Sequence, residues 1–348
     1  MHGTIFQKFI LNNTLNKNSM KFYFKKFIDF LSTLFLVAAV TFLTFQLLPG
    51  NPALAILGPE AEQAQIEAME ETLELNKPLV LRFFSWLKGV FSGDLGISYK
   101  YNEKVSFLIK NALKNTASLA ILTLIFTVAV GVFSGIFFAR FRKNKFVSGL
   151  TFINQLWISV PTFCTALLLI LIFTVFLNIL PSVGFFGLKS LILPALSISL
   201  GSGAILSRYV LTSIKNELKQ DYVRTAKSKG LSEKQIIFRH ILKNSLIPSI
   251  TTLGLITAEI FGGSIIIENV FSLPGIGRLI TTSISSRDFP LLQGLTLYLA
   301  GMTLTCNFAV DILYSVIDPR VRQIRRKSSS GSGILPEPKS PQARDAAL

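Results

Sequence analysis

Chemistry-bearing side chains are scarce in this chain. It holds two histidines, His2 and His240, and two cysteines, Cys164 and Cys306. Zinc-type centres gather three or four such ligands, so no metal-ligating residue is assigned. The two cysteines lie inside apolar runs far apart in sequence and read as buried free thiols. No GxxxxGK[ST] stretch occurs, so the chain carries no P-loop for nucleotide. Neither an HExxH nor a Ser/His arrangement is present, which removes an intramembrane hydrolase and leaves no catalytic residue to assign. Charge is sparse too: Asp, Glu, Lys and Arg make up 16% of 348 residues. That is too little polar surface for a soluble domain of this size.

Apolar sequence is what the chain has in abundance. Half of it is hydrophobic, 30 residues are phenylalanine, and mean hydropathy is +0.53. Lipid is therefore the expected solvent. The net charge of +16 sits in short clusters beside apolar runs, as on an anionic membrane face; no nucleic acid is expected as a partner.

Six spans are expected, at about 28–48, 116–139, 148–179, 190–212, 249–270 and 290–317; each holds the roughly 20 apolar residues that a bilayer core demands. The third contains Pro161 and is long enough to kink. Lys8, Lys17, Lys21, Lys25 and Lys26 precede the first span, and Arg140, Arg142, Lys143 and Lys145 join the second to the third. The fourth-to-fifth connection runs from Lys215 to Lys243 with eight lysines and arginines, and Arg320, Arg322, Arg325 and Arg326 follow the sixth span. All four clusters belong on the cytoplasmic side, with both termini inside. The expected fold is thus an all-α polytopic membrane protein. Its parts are a cytoplasmic segment 1–27, the first span 28–48, an extracytoplasmic subdomain 49–115, a transmembrane core 116–317 and a cytoplasmic segment 318–327. Residues 328–348, rich in Ser, Gly and Pro, read as a disordered tail and an expression remnant outside the fold.

The core includes a cytoplasmic loop, 213–248, with unusually explicit local chemistry. Leu211, Ile214, Leu218 and Tyr222 recur at helical spacing, so the fourth span is expected to continue as a helix until Gly230 stops it in a left-handed conformation. Ser232 is placed to cap a new helix and Gln235 to complete a capping box. Leu231 and Ile236 form a hydrophobic staple, and Glu233 suits the helix dipole. Ile237 with Ile241, and Phe238 with Leu242, give an apolar face; Lys234, Arg239 and Lys243 stay wet. The pattern by itself fits an interfacial helix held to anionic lipid as well as a helix pair presented to another protein.

Several other positions stand out. Glu259 lies near the middle of the fifth span, where an ionisable group calls for a wet cavity, a neighbouring helix or a cationic substrate along a pathway. Asp311 is near enough to the inner interface to pair with a basic residue. Pro274, Gly275 and Gly277 permit a tight non-helical turn at the outer mouth. Gly201 and Gly203 read as close helix packing.

Five stretches carry a resemblance: "LNKPLVLRFFSWLKGVFSGDLGISY", "DYVRTAKSKGLSEKQIIFRHILKNSLIP", "IIIENVFSLPGIGRLI", "DFPLLQG" and "VDILYSVIDPRVR". In this order, over about residues 21–322, they resemble the permease subunits of ATP-binding-cassette (ABC) importers of the dipeptide/oligopeptide/nickel family. Arg224, Lys104 and Asn76 depart from the common Glu, Pro and Asp of its motifs. The resemblance implies a type I importer permease fold in the bacterial cytoplasmic membrane. It implies a second homologous permease subunit, two cytoplasmic ATPase subunits and an extracytoplasmic substrate-binding protein as partners. This chain would bind no cofactor of its own, ATP and magnesium being used by the ATPases. The cargo would be peptides, or nickel and metal chelates. The loop would be the EAA-type coupling element, with Ala226, Gly230, Leu231, Ser232, Gln235, Ile237, Phe238 and Leu242 at the ATPase. Glu268 matches the position that fastens the outer gate, together with Pro274, Gly275 and Gly277; Glu259 is the candidate pathway residue. The alternative is a self-contained secondary transporter or channel. That would want a cluster of intramembrane charges or an inverted repeat, and neither is visible.

Overall fold

The computed structural model describes residues 3–47, 52–58, 60–72 and 75–317. The expected segment 318–327 and tail 328–348 lie outside them, as does Leu48 at the expected end of the first span. The described residues are helical throughout, apart from turns and one isolated antiparallel bridge between Ile97 and Lys104.

The first helix, α1, runs Gly3–Leu47. Three shorter helices follow, α2 (Pro52–Leu57), α3 (Gln63–Thr72) and α4 (Leu79–Ser92). The acidic α3 has no buried residue. α4 is anchored to α1 by rings, with Phe42 centred 5.3 Å from Phe83 and 5.6 Å from Trp86. Such aromatic contacts add roughly 0.5–1.5 kcal/mol each beyond area burial. Gly93, at φ 78°, ends α4 in the left-handed region.

α5 occupies Val105–Arg140. It starts earlier than the span expected at 116 because Val105, Ile109 and Ala112 pack with Ile276, Leu291 and Leu295 in a separate apolar cluster. At ~1.5 Å rise per residue α5 is longer than a ~30 Å bilayer core requires. The expected third span is not one helix. It consists of α6 (Lys145–Leu156) and α7 (Thr162–Leu169), the latter continuing as a π-helix to Phe176. Pro161 is the reason: it has no N–H to give the preceding turn and sits extended at φ −57°, ψ 140°.

α8 (Lys189–Glu217) packs along α5 with little between the backbones. A Cβ on Gly131 would sit 2.7 Å from Leu206, one on Gly135 2.7 Å from Val210, and one on Gly203 3.0 Å from Val130. Gly203 is therefore a close-packing glycine as its sequence suggested, whereas Gly201 meets only ordinary contact at 3.8 Å. The main core fills this seam with Leu119, Leu206 and Val210 and extends to Ile256 and Ile260.

The remaining elements are α9 (Asp221–Ser228), α10 (Glu233–Gln235) with a π-helical stretch Ile236–Ile241, α11 (Leu242–Val270), α12 (Ile276–Ser285) and α13 (Phe289–Ile317). α8 does not run on to Gly230. It stops at Glu217, and a turn at 218–220 precedes α9, whose N-cap Gln220 is extended. Among the described residues, four helices are long and apolar enough to cross a membrane: Phe24–Leu47, Val105–Arg140, Lys189–Glu217 and Phe289–Ile312. Glu233–Leu246 and Pro248–Phe261, bent by 47°, make a fifth if taken as one span.

Candidate functional site

Two ends of the bundle carry the polar structure. At one, two buried arrangements fasten the segments around α5, α12 and α13. Glu268, 1% exposed, accepts from Thr116 Oγ1 at 2.7 Å and from the Gly277 N–H at 2.7 Å. Thr116 Oγ1 in turn accepts from the Ile276 N–H at 2.9 Å, and Asn115 Nδ2 donates to the Pro274 carbonyl at 2.8 Å. The open N–H groups at the start of α12 are thus met by side chains of α5 and α11. The two glycines are needed for close approach. A Cβ on Gly275 would lie 2.3 Å from a Glu268 oxygen, and one on Gly277 would lie 2.4 Å from Ile265 Cα. Glu268, Pro274, Gly275 and Gly277, singled out in the sequence, therefore meet in one knot. Thr116 and Asn115 join it from far up the chain, and nothing local marked them.

A second knot was not legible at all. Asp288, fully buried, accepts from the Ser98 hydroxyl and from the backbone N–H groups of Tyr99 and Lys100, both at 3.2 Å. It also caps α13 through the Leu291 N–H at 3.3 Å. One carboxylate thereby fixes the 97–104 hairpin to the start of α13. Burial, and then the Asp288 carboxylate beside it, push the Tyr99 phenol up to about 12.

The opposite end holds the basic connections. Gly230 has φ 77°, and the Leu231 N–H donates back to the Ala226 carbonyl at 3.3 Å, closing α9. Ser232 caps α10 with both halves of a capping box. Its Oγ accepts from the Gln235 N–H at 3.4 Å, and its N–H donates to Gln235 Oε1 at 2.9 Å. Glu233 does more than face the dipole. It pairs with Arg142 at 2.8 Å and Arg140 at 3.6 Å, tying this turn to the foot of α5. Asp311 pairs with Lys26, joining α13 to α1 as its place near the interface suggested.

The apolar face of the turn differs from the α-helical expectation. Ile236, Ile237 and Ile241 are buried within the chain, Ile237 completely, whereas Phe238 is 52% exposed. Along the π-helical stretch Ile236–Ile241, whose hydrogen bonds join residues five apart, Ile236, Ile237 and Ile241 face inward. Ala226 is buried, Leu231 and Leu242 are half-buried, and Ser232 and Gln235 are exposed. Ile237 thus supports the turn from below; Phe238 is the large apolar side chain it presents outward.

Glu259 stands apart from both ends, on α11. Leu255, Glu259 and Ile266 are exposed on the same strip of that helix, which the rest of the subunit leaves uncovered.

Comparison with known proteins decides what this arrangement belongs to. Residues 131–323 match the model of the binding-protein-dependent transport system inner membrane component, and residues 19–120 match that of its N-terminal region. The chain belongs to this family. It is the membrane permease subunit of an ABC importer of the peptide/oligopeptide type, a multi-pass protein of the bacterial cytoplasmic membrane. It is not itself an enzyme; the ATPase resides in partner subunits. A putative peptide transport system permease protein of Brucella abortus (strain 2308) is 38% identical over 306 residues, covering 86% of this chain and 98% of its own. The glutathione transport system permease protein GsiC of Escherichia coli (strain K12) is 35% identical over 304 residues, covering 87% and 99%. Among solved structures, an inward-facing MetNI methionine ABC transporter aligns with TM-score 0.51 at 14% identity, over 61% of this chain and 97% of its own. That likeness bears on the fold of the permease core alone.

Proposed function

We propose that this permease carries peptides, glutathione-like peptides among them, through a pathway shared with a second homologous permease. Two cytoplasmic ATPases would drive it, and an extracytoplasmic binding protein would deliver the substrate. The observation that carries the reading is the capped turn around Gly230, bolted to the foot of α5 by Glu233 and offering Phe238 outward. A lipid-surface helix needs charge and an apolar face, but not a rigid mount to another helix. Movement of a partner against Phe238 would pass through Glu233 to Arg140 and Arg142, and so into α5 and the α8 that packs on it.

In this reading six segments cross the membrane, α6 and α7 together forming the third, and both termini are cytoplasmic. The basic clusters then share one side with the coupling turn, in keeping with the excess of Lys and Arg in cytoplasmic connections. Coupling contacts fall to Gly230, Leu231, Ser232, Gln235, Phe238 and Leu242, with Ala226 and Ile237 shaping the turn from within. Glu259 faces the pathway: an exposed carboxylate at mid-span is too costly against lipid, so an aqueous or partner-lined space is its natural surrounding.

Peptide transport is favoured because relatives covering nearly their whole length are named for peptide or glutathione transport. The test is uptake by the reconstituted complex, offered di- and oligopeptides, glutathione and nickel in parallel, with ATP and its binding protein. Peptide uptake that needs both is the expected result; nickel uptake without peptide uptake would overturn the substrate assignment.

A further inference from the structure

We infer that the cavity between the 97–104 hairpin and α12 is a socket for a carboxylate side chain of the extracytoplasmic binding protein. The inference rests on the permease reading and names a contact that reading leaves open. The cavity measures about 520 Å³, and its walls include Lys100, Tyr101, Asn111, Asn115, Arg278 and Thr282. Among the described residues, two cations and two amides thus line it, and no carboxylate does. Lys100 lies 5.7 Å above the Tyr101 ring, and Arg278 donates one N–H to the Ser272 carbonyl at 2.8 Å. Neither cation is ion-paired with a described residue, and the rest of the Arg278 guanidinium fork is free to meet a carboxylate.

The walls are built, not incidental. Asp288 holds the hairpin through the backbone N–H groups of Tyr99 and Lys100, which leaves the Lys100 side chain to the cavity. Glu268 and Thr116 hold the turn that leads into Arg278, and they occupy the N–H groups of Ile276 and Gly277. Recognition therefore falls to side chains. Both cations are exposed, and an exposed ion pair contributes only about 0–1 kcal/mol. A free carboxylate would not be retained there at physiological salt. An acidic residue carried on a protein surface would be, since the surrounding contact supplies affinity and the charges supply register and association rate.

The experiment titrates ATPase stimulation in the reconstituted complex against the binding protein that supports its uptake. With Lys100→Glu and Arg278→Glu together, the half-maximal concentration should rise at least tenfold, and the maximal stimulated rate should return at high binding-protein concentration. Added salt should weaken wild type and have little effect on the variant. Lys100→Glu alone keeps the backbone mount and should raise the half-maximal concentration several-fold, so a double variant that fails to assemble does not end the test. An unchanged half-maximal concentration in Lys100→Glu overturns the socket. So does a shift confined to the peptide concentration dependence at saturating binding protein, since the carboxylate would then be the substrate's. A wild-type complex that no binding protein stimulates refutes the permease reading itself, before any variant is compared.

Discussion

Single residues carry the sharpest consequences. Gly230 has open space where a Cβ would stand, and its φ of 77° is the whole constraint. A β-branched residue there costs on the order of 1–3 kcal/mol of backbone strain. Gly230→Val should therefore abolish transport while the subunit still reaches the membrane, and Gly230→Asn, which tolerates the left-handed region, should retain much of it. Uptake assays at matched expression compare the two. Glu259 poses a different question, because its side chain is exposed on a helix that should be lipid-embedded or pathway-lining. Glu259→Gln should lower transport of cationic peptides several-fold, leave neutral peptides nearly unaffected, and leave assembly intact. Loss of the assembled complex instead would make the carboxylate structural.

At the scale of elements, the turn around Gly230 separates what local rules foresee from what they do not. Gly230, the Ser232–Gln235 box and the end of α9 follow from dihedral preference and hydrogen bonding within five residues, so they were readable in the sequence. Of the expected apolar face, Ile237 and Ile241 are buried within the chain on the π-helical stretch Ile236–Ile241, whereas Phe238 is exposed. One proposed ATPase anchor therefore changes. Phe238→Ala should release about 1–3 kcal/mol of contact with the ATPase and weaken its retention in purified complexes. Ile237→Ala should act differently, lowering thermal stability of the subunit by opening a cavity. Neutralising Lys234 and Lys243 together should do little to retention, both being exposed charges. If the lysine changes release the ATPase and Phe238→Ala does not, the turn is held to lipid and not to a protein.

For the whole molecule, the seam between α5 and α8 decides integrity. Gly131, Gly135 and Gly203 bring the two backbones together, and the buried core runs along them. In lipid no water is released between apolar helices, so such packing is the main source of helix association. Gly131→Leu would drive its side chain into Leu206, where even a Cβ lies at 2.7 Å. Its melting temperature in detergent should fall by several degrees, and transport should fall with it. Gly149, whose surroundings are open, serves as the control, and Gly149→Ala should leave the melting temperature nearly unchanged.

What the sequence determined alone is everything set by composition and short-range chemistry: the lipid solvent, the helical class, the apolar segments, and the capped turn beyond Gly230. It also marked Glu268 and the glycines of the α11–α12 turn, but without their partners. The tertiary structure decided those. Thr116 reaches Glu268 across 152 positions, and Ser98 reaches Asp288 across 190; no periodicity in a one-dimensional string specifies such a pairing. It likewise decided that Glu233 would meet Arg140 and Arg142, and that Lys100 and Arg278 would line one cavity. Local structure is governed by dihedral angles and hydrogen bonds a few residues apart. Charges and polar groups acquire a role only when packing fixes which distant partner they face.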